Sequence, residues 1–302
     1  MKNDLTILVF SFNRGQFLRN CIASIERYAP DSKVLIVDDL SDEPETQQVL
    51  QELGQRYRIW QPELDSNQHK LGGLYANMQS AFENLPDDAL VCCLQDDMQL
   101  VRDIRERDIA DMQSYFKNNP NAGFLHHAFM KGHQRARYIR TTRFDPDQKV
   151  YLREADGKRV GEYFSAVFTA RVDRLKSKGW SFGKSEKANN QKASATFDRM
   201  GFMRNPFAHW LPCVPSHRHK RKSWAIKVAE KRTGAGFYPF SPFEATTVED
   251  FLSRDDAVLP IAEDFLSTTP MAPVNPWIYH PLQGAPRWLY LAHRIESKYS
   301  KN

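Results

Sequence analysis

The sequence predicts an α/β protein: a mostly parallel β-sheet flanked by helices, with a proline- and aromatic-rich C-terminal extension. Three observations predict it. The first hundred residues alternate between short β-branched or aromatic runs and stretches with helical spacing, the pattern of strands joined by crossover helices. At 302 residues the chain can bury a sizeable core, as one large domain or one domain with an appendage. Its 41% hydrophobic and 26% charged residues describe an ordinary soluble protein.

The elements follow in order. "TILVFSF" (6–12) reads as a buried strand. "GQFLRNCIASIERYA" (15–29) sets Phe17, Leu18, Cys21, Ile22 and Ile25 on one helical stripe and stops at Pro30. "KVLIVDD" (33–39) is a second strand. "EPETQQVLQELGQ" (43–55) is a helix with acidic residues near its N-terminus, as the dipole prefers, and Gly54 near its end. "YRIW" (57–60) is a third strand, "GGLYANMQSAFENL" (72–85) a third helix and "LVCCL" (90–94) the next strand. Further on, "DIADMQSYFKNNP" (108–120) predicts a helix and "AGFLHHAF" (122–129) a strand. "GEYFSAVFTARVDRLKSKGW" (161–180) joins a strand to the start of a helix, and "SEKANNQKASATFDRMG" (185–201) is a helix stopped by Gly201. From residue 237 to 302 proline and aromatic residues dominate, an extension that wraps the core and ends in one basic amphipathic helix. No internal repeat or low-complexity tract is present.

Charge and cysteine narrow the setting. With 42 basic and 37 acidic residues the net charge is +5, which diagnoses no partner by itself. Its distribution is uneven: "HRHKRK" (217–222) and "KGHQRARYIRTTR" (131–143) suit a polyanion, a phosphorylated substrate or an anionic membrane, or are merely solvated. Cys21, Cys92, Cys93 and Cys213 show no paired spacing, and the first three lie in apolar segments, which implies a reduced, cytoplasmic setting. The N-terminus does not read as a signal peptide, because its apolar run is short, Asp4 precedes it and Asn13-Arg14 follows. No segment reaches the ~20 apolar residues that span a bilayer, so membrane association would be peripheral, at the inner face.

In parallel sheets ligands bind beyond the carboxyl ends of the strands. Here those ends read "SFNRG" (11–15), "VDDLSD" (37–42) and "LQDDM" (94–98). One edge thereby gathers Asp38, Asp39, Asp96 and Asp97, with Ser11, Asn13 and Arg14 beside them. Adjacent carboxylates repel, so solvent, a basic side chain or a metal ion has to compensate. A divalent metal on one or two of them, sharing phosphate oxygens, resolves the conflict, and the others can accept from ribose hydroxyls or a base N–H. The crevice therefore suits a nucleotide diphosphate with Mn²⁺ or Mg²⁺. A dinucleotide-binding domain would need a Gly-rich turn after the first strand, and "SFNRGQF" has one glycine. A P-loop is absent, and a phosphate-receiving signalling domain needs fewer residues.

"TILVFSFNRGQFLRNCIASIERYAPDSKVLIVDDLSDEPE" resembles the opening of family 2 glycosyltransferases, inverting GT-A enzymes that use nucleotide sugars. The shared features are Asn13-Arg14, the Leu…Cys…Ser pattern of 18–24 and "VDDLSDE" (37–43). "KLGGLYANMQSAFENLPDDALVCCLQDDM" then resembles the family's glycine-containing helix and the strand bearing its Asp-Asp motif. The likeness covers the first third of the chain, by motif order, and loosens afterwards. It implies a GT-A-like domain over 1–236, divided into a nucleotide-binding half (1–101) and an acceptor half (102–236). It also implies roles: Asp39, with Asp38 beside it, for the base, Asp96 near the ribose, Asp97 on the metal and Lys70 for base or phosphate. The family's general base is an acid at the start of a site-closing helix, but the matching register falls on Asn189-Asn190. Glu186 is the nearest replacement and Asp198 the second. A late histidine often completes the metal site, which nominates His217 or His219, with Arg218, Lys220, Arg221 and Lys222 neutralising the diphosphate. His209, between Ala208 and Trp210, reads instead as packed or at a surface.

The resemblance thus implies a metal-assisted transferase taking a UDP-sugar to a glycan or lipid-linked acceptor. A weak or inactive nucleotide- or polyanion-binding protein of the same fold is the alternative, supported by the missing acidic pair. Direct nucleic-acid binding has charge behind it but no recognisable module. The C-terminal "APRWLYLAHRIESKYSK" (285–301) suits either a membrane interface or packing on the protein.

Overall fold

The computed structural model describes residues 5–62, 73–154, 161–216 and 222–299. Its first half follows the expected order: β1 (Leu5–Ser11), α1 (Gly15–Tyr28), β2 (Lys33–Asp38), α2 (Pro44–Leu53), β3 (Arg58–Trp60), α3 (Gly73–Glu83) and β4 (Leu90–Gln95). The middle carries β5 (Met98–Leu100), α4 (Glu106–Asn118), β6 (Leu125–His126), α5 (Arg135–Thr141), β7 (Thr142–Asp145), β8 (Val150–Arg153) and β9 (Phe168–Arg171). It continues with α6 (Val172–Ser177), α7 (Glu186–Thr196), β10 (Gly201–Met203) and β11 (Ala208–Trp210). The last third is helical or irregular, with α8 (Trp224–Thr233), α9 (Ala245–Ser253), α10 (Ala262–Phe265) and α11 (Arg287–Tyr299).

Among the described residues nine strands form the main sheet, in the order β3-β2-β1-β4-β9-β6-β10-β8-β7. β1 pairs in parallel with β2 and β4, and β6 pairs in parallel with β10. β9 runs against both β4 and β6, and β8 against β10 and β7. β5 and β11 form a separate antiparallel pair. The alternation of a strand explains the two layers on the sheet. Leu5, Ile7 and Val9 of β1 join Leu18, Cys21, Ile22 and Ile25 of α1 in one buried cluster. Leu8 and Phe10 point the other way, into a cluster with Met78 and Phe82 of α3. Gly15 lets α1 start hard against α2, since a Cβ there would lie 2.8 Å from the Thr46 amide nitrogen.

The strand expected over 122–129 is only two residues long. Beyond His126 the chain leaves the sheet, and Ala128 and Met130 form isolated bridges to Ala208 and Ile261. That second bridge is one of several ties from the extension to the core. Gln99 exchanges two hydrogen bonds with the Phe240 backbone, at 2.9 and 3.0 Å. Phe240, Phe251, Ala262, Leu266 and Trp277 are buried with Phe17 and Phe129. All four cysteines are buried and unpaired. No helix among the described residues is long and apolar enough to cross a membrane.

Candidate active site

The register of the parallel strands brings their carboxyl ends together: Ser11 stands opposite Asp38 and Phe10 opposite Gln95. Pairing runs one residue further on each side, with Asp39 N–H on Ser11 O and Asp96 N–H on Phe10 O, both at 2.9 Å. Asn13 takes a left-handed conformation at φ 50°, which asparagine tolerates better than most residues. Its Oδ1 accepts from the Asp42 and Glu43 amides at 2.8 and 3.0 Å, which ties the loop after β1 to the start of α2. Asp38 is fully buried and accepts from Ser41 N–H at 2.8 Å and Gln61 Nε2 at 2.9 Å. It thereby holds its own turn. Asp39 accepts from the Gly73 amide at 3.1 Å and Asn77 Nδ2 at 3.0 Å, a carboxylate set at the positive end of α3.

Asp96 and Asp97 form the turn between β4 and β5, and the side chain that compensates them is Arg14. Its Nη1 lies 3.2 Å from Asp96 Oδ1 and 2.6 Å from Asp97 Oδ2. Asp96 Oδ2 also accepts from the Phe12 amide at 2.9 Å. Burial pushes the Asp96 carboxyl up to about 7, while Arg14 pulls it down. Four buried polar atoms around this crevice have no partner among the described residues: Ser11 Oγ, Arg14 Nε, Asn77 Oδ1 and Asp97 Oδ1. Buried polar atoms are nearly always hydrogen-bonded, so four orphans together make this crevice the candidate ligand site. Among the described residues no three His, Cys, Asp or Glu side chains gather into a closed metal site. The open Asp97 Oδ1 nonetheless suits a hard cation that takes most of its ligands from phosphate and water.

Across the crevice stands a residue that the sequence reading placed only within a basic patch. Lys131 Nζ lies 3.7 Å from the Trp210 ring centroid and 4.5 Å from that of Tyr279. Burial lowers it to about 8, against the pull of the Glu186 and Asp97 carboxylates. Trp210 is fixed by its Nε1 donating to Gln95 Oε1 at 3.2 Å, at the end of β4. Tyr279 comes from the extension, and its hydroxyl meets His209 Nε2 at 2.7 Å. Of the two placements read for His209, packed or at a surface, it is packed, with no exposure. The only signal for Lys131 in the sequence is its place at the end of the apolar run "HHAFMK"; Tyr279 carries none.

Glu186 opens α7, whose N-cap Ser185 accepts from the Ala188 amide. Asn189 and Asn190, at the register where acids were expected, are buried clamps. Asn189 both accepts from Gly183 N–H at 2.6 Å and donates to Gly183 O at 3.2 Å, which a carboxylate cannot do. Asn190 Oδ1 accepts from the amides of Glu162, Tyr163 and Phe164 at 3.0 to 3.2 Å. Asp198 is exposed and hydrogen-bonded through its backbone to Asn121, before β6 and β10 begin. That is the amino-terminal end of both strands, whereas the crevice lies at the carboxyl ends of β1, β2 and β4. Lys70, His217, Arg218, His219, Lys220 and Arg221 lie outside the described residues.

The model for "Glycosyl transferase family 2" matches residues 6–207, more than half of the chain. Among solved structures, the fragment 1–349 of TarS from S. aureus in complex with UDP is 15% identical, with 82% of this chain and 69% of that one covered at a TM-score of 0.48. The mannosyltransferase PcManGT from Pyrobaculum calidifontis, in complex with GDP-Man and Mn²⁺, is 12% identical over 68% of this chain and 55% of that one, at 0.43. The galactosyltransferase LgtC, with donor and acceptor sugar analogues, is 14% identical over 66% and 72%, at 0.35. No sequence among the curated proteins matches.

Proposed function

The chain belongs to glycosyl transferase family 2, and from that premise we propose that it transfers a sugar from a nucleotide diphosphate sugar to a hydroxyl of a glycan or lipid-linked acceptor, inverting the anomeric carbon. The observation that carries this reading is the group of unpartnered buried polar atoms beside Asp96 and Asp97. The Asp39 carboxylate would accept a pyrimidine N–H, which favours a UDP-sugar. Asp96, already holding Arg14 and the Phe12 amide, keeps capacity for a ribose hydroxyl. Asp97 Oδ1 would hold Mn²⁺ or Mg²⁺, with His217 or His219 as a second protein ligand. Bound there, the ion would neutralise charge on the departing diphosphate. Arg218 and Arg221 would add to that neutralisation, and Lys70 would contact base or phosphate.

Glu186 is the proposed general base. It stands at the start of a helix, and Lys131 attracts it. A carboxylate there would accept the proton from the acceptor hydroxyl. The alternative of an inactive binding protein rested on the asparagine pair, and the two clamps give those residues a different purpose.

The test is nucleoside diphosphate release from a panel of UDP- and GDP-sugars, with and without oligosaccharide acceptors. Wild type should release nucleotide from at least one donor. Glu186→Gln should bind that donor as tightly and turn it over ~10²–10⁴-fold more slowly. Equal turnover by the variant would clear Glu186 of the role.

A further inference from the structure

The packed face of α11 is satisfied by α8. Leu289 is buried with Ala225, Ile226 and Ala229. The Glu296 carboxylate accepts from the Trp224 and Ala225 amides, each at 3.1 Å, and so caps α8. The outer face of α11 is apolar as well. Trp288, Leu291 and Ile295 fall at i, i+3 and i+7, one stripe of a helix, and are 55%, 59% and 49% exposed. Trp224 of α8 is 57% exposed, its ring 6.2 Å from that of Trp288. A helix apolar on two sides and covered on one has an unmet partner.

The charge around the stripe says which partner. Lys227, Lys231 and Arg232 of α8 are exposed, as are Arg287 and Arg294 of α11. The acids of the same pair are engaged: Glu230 with Lys222 and the Ser216 amide, and Glu296 with the start of α8. We infer that this face binds an anionic lipid surface, with α11 lying in its plane, tryptophans at headgroup depth and cations on lipid phosphates. A two-fold contact with a second copy would instead set the same cations against one another.

The patch and the crevice share an element. Glu230 of α8 accepts from the Ser216 amide at 2.8 Å, and the neighbouring Pro215 carbonyl accepts from Arg14 at 3.4 Å. A lipid-linked acceptor would thus be presented beside the site. That consequence rests on the proposed transfer, whereas lipid binding does not.

The experiment sediments the full chain with phosphatidylcholine vesicles and with vesicles containing phosphatidylglycerol. Wild type should pellet with the anionic vesicles only, and added salt should release it. Trp224→Ser with Trp288→Ser should cut partitioning about tenfold or more, through lost apolar burial. Arg287→Glu with Arg294→Glu should abolish the anionic preference with both rings intact. Wild type left in the supernatant with both vesicle types would overturn the inference, as would a tryptophan variant that pellets like wild type. A wild-type dimer in gel filtration that the tryptophan variant turns into a monomer would also overturn it, in favour of a second copy.

Discussion

The two sides of the crevice are built by different means. On the β1–β4 side every candidate residue ends its strand or follows it by one to three positions, and parallel pairing alone aligns them. On the β6–β11 side Lys131, Trp210 and Tyr279 come from three segments that meet only in the folded chain. The first side is therefore specified by local rules, and the second by long-range packing that includes the extension. The first side also carries the greater electrostatic stake. A buried and a half-buried carboxylate there share one guanidinium, whereas Lys131 is held by aromatic faces and more distant acids.

Arg14→Met should break the first side outright. Asp96 would keep its burial, and both carboxylates would lose their cation, at a cost of about 3–5 kcal/mol in urea unfolding. A loss below about 1 kcal/mol would mean that the pair is compensated otherwise. Asn190→Ala attacks the second side without touching charge. Three amides would lose one acceptor, for a loss of about 1–3 kcal/mol and little change in nucleotide affinity. A parallel loss of nucleotide binding would show that the two sides are not separable.

Lys131→Met gives the smallest effect and the finest distinction. Folding lowers this amine from its ordinary 10.5 to about 8. Between those values the unfolded chain binds more protons than the folded one, so Lys131 makes stability rise with pH across that window. The difference between wild type and variant, read from unfolding at pH 7.5 to 10.5, should therefore grow in favour of wild type as pH rises. A pH-independent difference would place the amine in solvent.

This contrast is also the limit of what the sequence disclosed. The βαβ alternation was legible because one strand face and one helix stripe each leave a period in the chain. Strand-end carboxylates were legible because parallel topology fixes where strand ends go. Which of Asp38 and Asp39 the turn would claim was not, since neighbours at a strand end point opposite ways. Nor could the sequence tell that Arg14 sits between Asp96 and Asp97. The bridging strands β9 and β6 are four and two residues long, too short for any period, so the second side stayed hidden. Asn189 and Asn190 looked like lost acids because their backbone partners lie in a loop that no spacing rule predicts.

The central claim is that the orphaned atoms around Asp97 form a nucleotide diphosphate site, and calorimetric titration of UDP and GDP tests it most directly. Titrations run with Mn²⁺, with EDTA, and on Asp97→Ala. One of the two nucleotides should bind wild type with Mn²⁺, and its binding should vanish both with EDTA and in the variant. Binding of neither nucleotide, or equal binding by Asp97→Ala with Mn²⁺ present, would contradict the claim.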